Sequence, residues 1–452
     1  MPSSPLPSAL RDLADHRAVH VAITDLDGVL RGKRISPKKL EQVLATDLGF
    51  CNVIFGWDIN DQPYDNTELS GWTTGYPDAT VTLDPHTLRS IPWLDGAPFL
   101  LGDLSEGSLA DACPRSVLRR VLAKAEHQGY RIKAAIEYEW FLFAETPDSL
   151  AAKHGTAPTP ATPGMHGYST LRPGNLAAFV DELWTACYQF GVPLEGLHTE
   201  TGPGVYEAAI EYTDALEAAD RAACFKYLVR QVAMRHGMIA SFMAKWRDDL
   251  PGCGGHVHQS VEHLASGRNV FAAAELRDAE QRRADKGLAD AYLAGQLSAL
   301  PRILPLLAPS INSYKRLVPG SWAATAMSWG HDNRTTALRL LHNRLETRLP
   351  GADANPYLAL AACVATGMRG IVQGEKLKQQ ATTGNAYDDA TLPPLPRSLA
   401  SATRAMRTQQ SLAAELLGEE FVEHFLRTRE WEVRQAQCAV TDWERRRYLE
   451  LI

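Results

Sequence analysis

The run YRIKAAIEYEWFLF at residues 130–143 alternates as a long strand does, with Ile136, Tyr138 and Trp140 on one face and Glu137 and Glu139 on the other. Two like charges side by side must be exposed or neutralised. A solvated strand face has the same look, so the pair alone does not prove a site. Just upstream, Pro114 stands near the start of SVLRRVLAKAEHQG, which has the spacing of an amphipathic helix closed by Gly129. The change of texture puts a domain boundary near 112.

Before that boundary, VHVAITDLDGVLRGKRIS from Val19 reads as two strands around Asp27-Gly28. The expected organisation is a small β-rich domain over 17–112 and a large domain over 113–452. The amino-terminal MPSSPLPSALRDLADH lacks a basic stretch followed by an apolar core, and no apolar run approaches the roughly 18 residues of a membrane helix. The expectation is a soluble, cytoplasmic protein.

After the long strand, residues 153–167 are rich in Pro, Thr and Gly and read as a surface loop. Residues 175–190 and 214–236 have helical spacing, the second ending at Gly237 before MIASFMA, an expected buried strand. Residues 376–396 are irregular, and everything after Arg397 reads as helices. No internal repeat is apparent.

The 452 residues are 45% hydrophobic and 22% charged, enough apolar material for a core in one or two domains. With 53 acidic against 46 basic side chains the net charge is −7, which argues against nucleic-acid or membrane-surface binding and for small-molecule chemistry. Seven scattered cysteines without a CxxC pair imply reduced thiols, most of them in the core.

Three further stretches carry chemistry. HTETGPGVYE places Glu200 and Glu207 on either side of a Gly-Pro-Gly turn, and GCGGHVHQS places His256 and His258 two apart after a glycine-rich bend. A polar hairpin loop and a structural H-x-H are the plain alternatives. Arg316, Arg334, Arg339, Arg344 and Arg348 lie among apolar neighbours, where bidentate guanidinium forks suit carboxylates and phosphates. Together five glutamates (137, 139, 200, 207 and 346) and one histidine suffice for two hard-cation sites of three ligands each. Without metal such a set repels itself; with metal and arginine it fits phosphoryl transfer.

In order along the chain, E-x-E, H-x-E-x-GPG-x-x-E, G-x-G-x-H-x-H-x-S, NSYKRL, WG-x-x-NR and R-x-E-x-R resemble the type I glutamine synthetase family, from about residue 20 to the carboxyl end. The resemblance implies a β-grasp-like amino domain before an antiparallel α+β catalytic domain, and a dodecamer of two hexameric rings with active sites between subunits. It implies two Mg²⁺ or Mn²⁺ ions, one on Glu139, Glu200 and Glu207 and the other on Glu137, His256 and Glu346. Tyr212, His258, Ser260, Arg339 and Arg344 fall at ATP positions, Arg334 at the γ-phosphate, and Gly252, Arg316 and Arg348 at glutamate positions.

Three departures matter. Family enzymes that use ammonium carry a glutamate in a V-P-G-Y-E-A-P flap, whereas this chain has Val318-Pro319-Gly320-Ser321-Trp322-Ala323-Ala324. Where they hold an aspartate in the amino domain, this chain has FGWDIN with Asp58. Pro251 stands where an asparagine is common. An indole in place of an anion favours an organic amine over a small cation. The chain therefore resembles the γ-glutamyl-amine ligase branch, with Trp322 and Asp58 at the amine pocket; ordinary glutamine synthetase is the alternative. Tyr387, near a position that is adenylylated in some relatives, reads as a plain surface tyrosine.

Overall fold

The computed structural model describes residues 16–104 and 107–452. The amino-terminal stretch discussed above, up to residue 15, lies outside the described residues.

The first sheet holds six strands in the order Leu30–Ile35, Val19–Thr24, Ala97–Leu104, Asp78–Leu83, Leu48–Cys51, with Arg89–Ile91 also paired to Ala97–Leu104. Its first two strands are antiparallel around the expected Asp-Gly turn, where Gly28 takes φ +82. Val19–Thr24 also pairs in parallel with Ala97–Leu104, and the helix Pro37–Thr46 buries Leu40 and Val43, giving the β-grasp-like amino unit.

The second sheet decides the site. Its order is Trp329–His331, Leu338–Leu340, Leu345–Thr347, Gly255–His263, Tyr130–Phe143, Val205–Ile210, Leu194–Thr199. Apart from the parallel pair Trp329–His331 and Leu338–Leu340, these neighbours are antiparallel. The long strand spans Tyr130–Phe143, as its alternation requires. Tyr138 and Trp140 point into the helix Ala215–Arg235, where Tyr138 stacks on Phe225 at 6.2 Å and Trp140 meets it edge-on at 5.6 Å. Burying a side chain the size of Phe225 stabilises by roughly 1.5–3 kcal/mol. That packing turns Glu137 and Glu139 to the opposite face.

The helix Pro114–His127 starts with proline at its first turn and ends before Gly129 at φ +86; Val117, Leu118, Val121 and Ala125 form its buried stripe. It packs against Pro356–Gln373, which is buried almost all round. The MIASFMA strand is shorter than expected, Ile239–Ser241, and pairs antiparallel with Phe141–Phe143 at the end of the long strand. Five cysteines are buried, Cys438 is exposed, and all seven thiols are free. Among the described residues no helix is long and apolar enough to cross a membrane.

Candidate active site

Strand register assembles the site. The ladder sets His256 beside Glu137, His258 beside Glu346, and Arg339 beside Glu346. On the other side of the long strand Glu207 stands opposite Glu139, and His198 opposite Glu207. Residues from Glu137 to Glu346, 209 positions apart in sequence, thus meet across six adjacent strands.

Glu137, His256 and Glu346 offer ligand atoms within 4.8 Å of one another. His256 Nδ1 is 3.5 Å from Glu137 and 3.4 Å from Glu346, whose side chain is fully buried. The second trio differs from the expected Glu139, Glu200 and Glu207: the described residues bring together His198, Glu200 and Glu207. His198 Nε2 lies 3.1 Å from Glu207 and its Nδ1 3.9 Å from Glu200. Glu139 faces the same acidic group but accepts from the backbone N–H of Gly254 at 2.6 Å. His198 stands two residues before Glu200, so the same-face spacing that exposed the glutamates also pointed to it. Tyr168, which the sequence reading passed over, stacks on its ring at 4.3 Å.

The two trios differ in charge. Burial pushes Glu346 up, but Arg348, His256, His258 and Arg339 outweigh it and hold the carboxyl down at about 2. Glu137 is likewise held low, burial being outweighed by its hydrogen bonds to His256 and His258. Glu207 goes the other way: burial first, then Glu137 and Glu139, push it up to about 8 despite its bond to His198. Burial lowers His198, yet the bond to Glu207 and the neighbouring carboxylates carry it to about 9. Carboxylates and imidazoles converging in this way are the donor set of a hard divalent cation.

The arginines divide into two groups. Arg348 Nη1 donates to Glu346 at 2.5 Å and Arg339 Nη1 to the other oxygen at 2.9 Å. Arg316 is buried, donates to the carbonyls of Leu349 and Arg348, and lies 3.4 Å from His256 Nε2. Arg348 Nε has no partner. Gly252 packs so closely that a Cβ there would lie 2.3 Å from the Ala244 carbonyl and 2.9 Å from Arg316 Cγ. Arg334 and Arg344 are exposed. Arg344 Nε donates to His258 Nδ1 at 3.3 Å.

Next to Glu137 opens a cavity of about 340 Å³ lined by Tyr212, His258, Ser260, Asn269 and Arg344 among others. Four of the five residues expected to hold ATP therefore line one cavity. Arg339 is outside it, tied to Glu346 and Asp332.

Trp322 is 55% exposed and has φ +58, a conformation that costs a bulky residue roughly 1–2 kcal/mol. Its carbonyl accepts from Arg348 Nη2 at 3.3 Å. Asp58 accepts from the N–H groups of Asn60 and Gln62, both at 2.8 Å, and its charge is felt at Tyr64 and Glu432. Within one chain the described contacts do not bring it to Trp322. Tyr387 is not a plain surface residue: it is half-buried and its hydroxyl donates to the Ala323 carbonyl at 3.1 Å.

Comparison with known proteins agrees with this arrangement. Residues 111–448 match the family described as glutamine synthetase, catalytic domain. Type-1 glutamine synthetase 2 of Dictyostelium discoideum is 45% identical over 443 residues, 96% of this chain and 84% of that protein. A glutamate–isopropylamine ligase of a Pseudomonas species is 36% identical over 444 residues, 96% of this chain and 95% of the ligase. The solved structure of a GmaS/ADP complex superposes with a TM-score of 0.83 at 29% identity, covering 99% of this chain and all of the other.

Proposed function

The chain belongs to the glutamine synthetase family, and from that premise we propose that it joins glutamate to an organic primary amine at the expense of ATP. In this reading the γ-carboxylate of glutamate attacks the γ-phosphoryl group of ATP, and the amine then displaces phosphate from γ-glutamyl phosphate. The observation that carries the choice of amine is Trp322: the flap presents an indole where an ammonium-using enzyme needs a carboxylate, and an indole gains from apolar contact with an organic amine. The similarity to the isopropylamine ligase supports it.

The residues divide the work. Glu137, His256 and Glu346 suit one Mg²⁺ or Mn²⁺, and Glu139, Glu200 and Glu207 a second, Glu139 standing opposite Glu207 and His198 beside Glu200 and Glu207 as a further donor. Such ions would supply the positive charge that neutralises the transferred phosphoryl group. The cavity at Tyr212, His258, Ser260 and Arg344 accepts the nucleotide. Arg316 and Arg348 sit beside the metal ligands, where planar forks can clamp glutamate and its phosphorylated form; Gly252 leaves room beside Arg316. Exposed Arg334 is free to meet the γ-phosphate. Asp58, which no described contact brings to Trp322 within one chain, would join an amine pocket from a neighbouring subunit, which fits a dodecamer of two hexameric rings. A division of the chain near 112 and a cytoplasmic location belong to the same reading; the two sheets lie on either side of that point.

The second reading, ordinary glutamine synthetase using ammonia, is favoured by the 45% identical Dictyostelium protein. One assay separates them: ADP release with glutamate, ATP and a panel of amines that includes ammonium. The proposed function expects turnover with at least one organic primary amine and little with ammonium at equal concentration. Ammonium-dependent release with no response to any amine overturns it.

A further inference from the structure

The flap that carries Trp322 is held from three sides. Ser321 Oγ donates to the carbonyls of Arg316 at 2.7 Å and Val318 at 2.5 Å. Arg348 Nη2 donates to the Trp322 carbonyl at 3.3 Å. Tyr387 Oη, from a segment 64 residues further on, donates to the Ala323 carbonyl. The first two holds come from the flap itself and from a residue placed at the glutamate position. Tyr387 alone comes from the irregular 376–396 strap.

That strap is itself anchored at the site. Asn385 caps the turn Ala386–Asp388 by accepting from the Tyr387 N–H at 3.2 Å. Thr335 Oγ1 accepts from the Ala386 N–H at 2.9 Å, and Asn333 Nδ2 donates to the carbonyls of Gly384 at 2.8 Å and Thr382 at 3.2 Å. Asn333 and Thr335 flank Arg334, so the strap is pinned to the loop that bears this arginine. The Tyr387 hydroxyl also lies within the fields of Arg348 and Arg316. Ala323 and Ala324 are buried while Trp322 is exposed, so the backbone between them is where the flap turns outward.

We infer that Tyr387 is a positioning residue for the amine site: its hydroxyl clasps the Ala323 carbonyl and so holds the left-handed backbone that presents the Trp322 indole. A tryptophan at φ +58 relaxes toward ordinary backbone unless its neighbours prevent it. Arg348 can hold the preceding peptide only from its glutamate-binding place; the tyrosine holds the next one independently of substrate. The inference rests on the reading of Trp322 as a wall of the amine pocket.

The test is Tyr387→Phe, which removes one oxygen and leaves the ring that packs in the strap. Loss of one neutral hydrogen bond is expected to raise KM for the nucleophile about five-fold, with kcat at saturation and KM for ATP unchanged within about two-fold. In the Trp322→Ala background the same change is expected to add almost nothing, because the two residues act through one backbone segment. An unchanged melting temperature shows that Tyr387→Phe folds, and faster tryptic cleavage at Lys315 or Arg316 reports a loosened flap. The kinetics use whichever nucleophile the parent prefers, so the amine panel decides the Trp322 reading separately. A parental KM in Tyr387→Phe, or a full five-fold effect persisting without Trp322, overturns the clasp.

Discussion

Arg115 and Glu207 are both buried ionisable groups, yet the chain surrounds them differently. Arg115 directs Nε and Nη2 to Asp220, both at 2.8 Å, Nη1 to Asp103 at 2.9 Å, and Nη2 to Asp84 at 2.9 Å. Tyr357 adds a hydrogen bond to Asp220 at 2.7 Å, and Arg119 a second cation on Asp103. Asp84 and Asp103 belong to the amino-terminal sheet region and Asp220 to the helix Ala215–Arg235, so this cluster ties the two halves, and each of its aspartates meets an arginine of the chain itself. Around Glu207 stand Glu137, Glu139 and Glu200 with His198 in partial compensation. The joint is complete; the acidic face is left short of positive charge. Buried charge without a partner costs stability, and a protein retains it where a ligand supplies the missing charge.

The largest effect expected from this contrast is at the joint. Arg115→Met leaves buried Asp220 without its arginine and Asp84 and Asp103 with Arg119 alone, and is expected to cost about 3–5 kcal/mol in urea unfolding. Glu207→Gln, which fixes the neutral form that burial and the neighbouring carboxylates already favour, is expected to leave metal-free stability at neutral pH within about 0.5 kcal/mol or to raise it. If both variants lose stability alike, the two clusters are not different in kind.

The next effect is one of pH at a second contact between the halves. His424, on the helix Glu419–Cys438, bonds the Phe55 carbonyl at 2.9 Å, and burial above all pushes its ring down to about 4. The unfolded chain, with an ordinary imidazole near 6.5, binds the proton first as pH falls. Stability is therefore expected to drop between pH 6.5 and 4 by up to about 3 kcal/mol and then to level for this group. His424→Gln should flatten that part of the profile; an identical slope in parent and variant rules His424 out as its source.

Metal sharpens the other side of the comparison. If the acidic face awaits cations, Mg²⁺ or Mn²⁺ at 100 times Kd stabilises the fold by about 2.7 kcal/mol, and EDTA reverses it. Glu139→Ala and Glu207→Gln are expected to lose that increment together with ADP formation while remaining folded. A metal response undiminished in both places the cations elsewhere.

The smallest effect concerns Arg348, which touches both Glu346 and the flap. Arg348→Lys keeps the charge but not the fork, and at least about a ten-fold loss in kcat/KM for glutamate is expected, about 1.4 kcal/mol. Parental kinetics in the lysine variant remove Arg348 from the site.

Much of the site was legible in the chain because strand and helix periods are local. The E-x-E of 137 and 139, and the H-x-H of 256 and 258, must each share a face once their segments are strands, whatever the rest of the fold does. The same rule applied to HTE would have named His198 as well as Glu200. Arg339 illustrates the opposite limit. Its motif suggests the nucleotide; that it also bonds Glu346 and Asp332 follows from the pairing of Leu338–Leu340 with Leu345–Thr347, which no local window contains.

The sequence by itself determined the elements: a proline-led helix closed at Gly129, the strand 130–143 with its two carboxylates on one side, and a flap with tryptophan in the acid's place. Short-range sterics and the two- and 3.6-residue periods act within a few residues, so a window of sequence contains their causes. Only the tertiary structure decided that Glu346 closes on His256, that His198 joins Glu200 and Glu207, that Arg115 gathers three aspartates, and that Tyr387 reaches Ala323. Those contacts join residues as many as 105 apart; they depend on which elements pack and which strands pair in what register, a choice made by the whole chain and encoded in no single stretch of it.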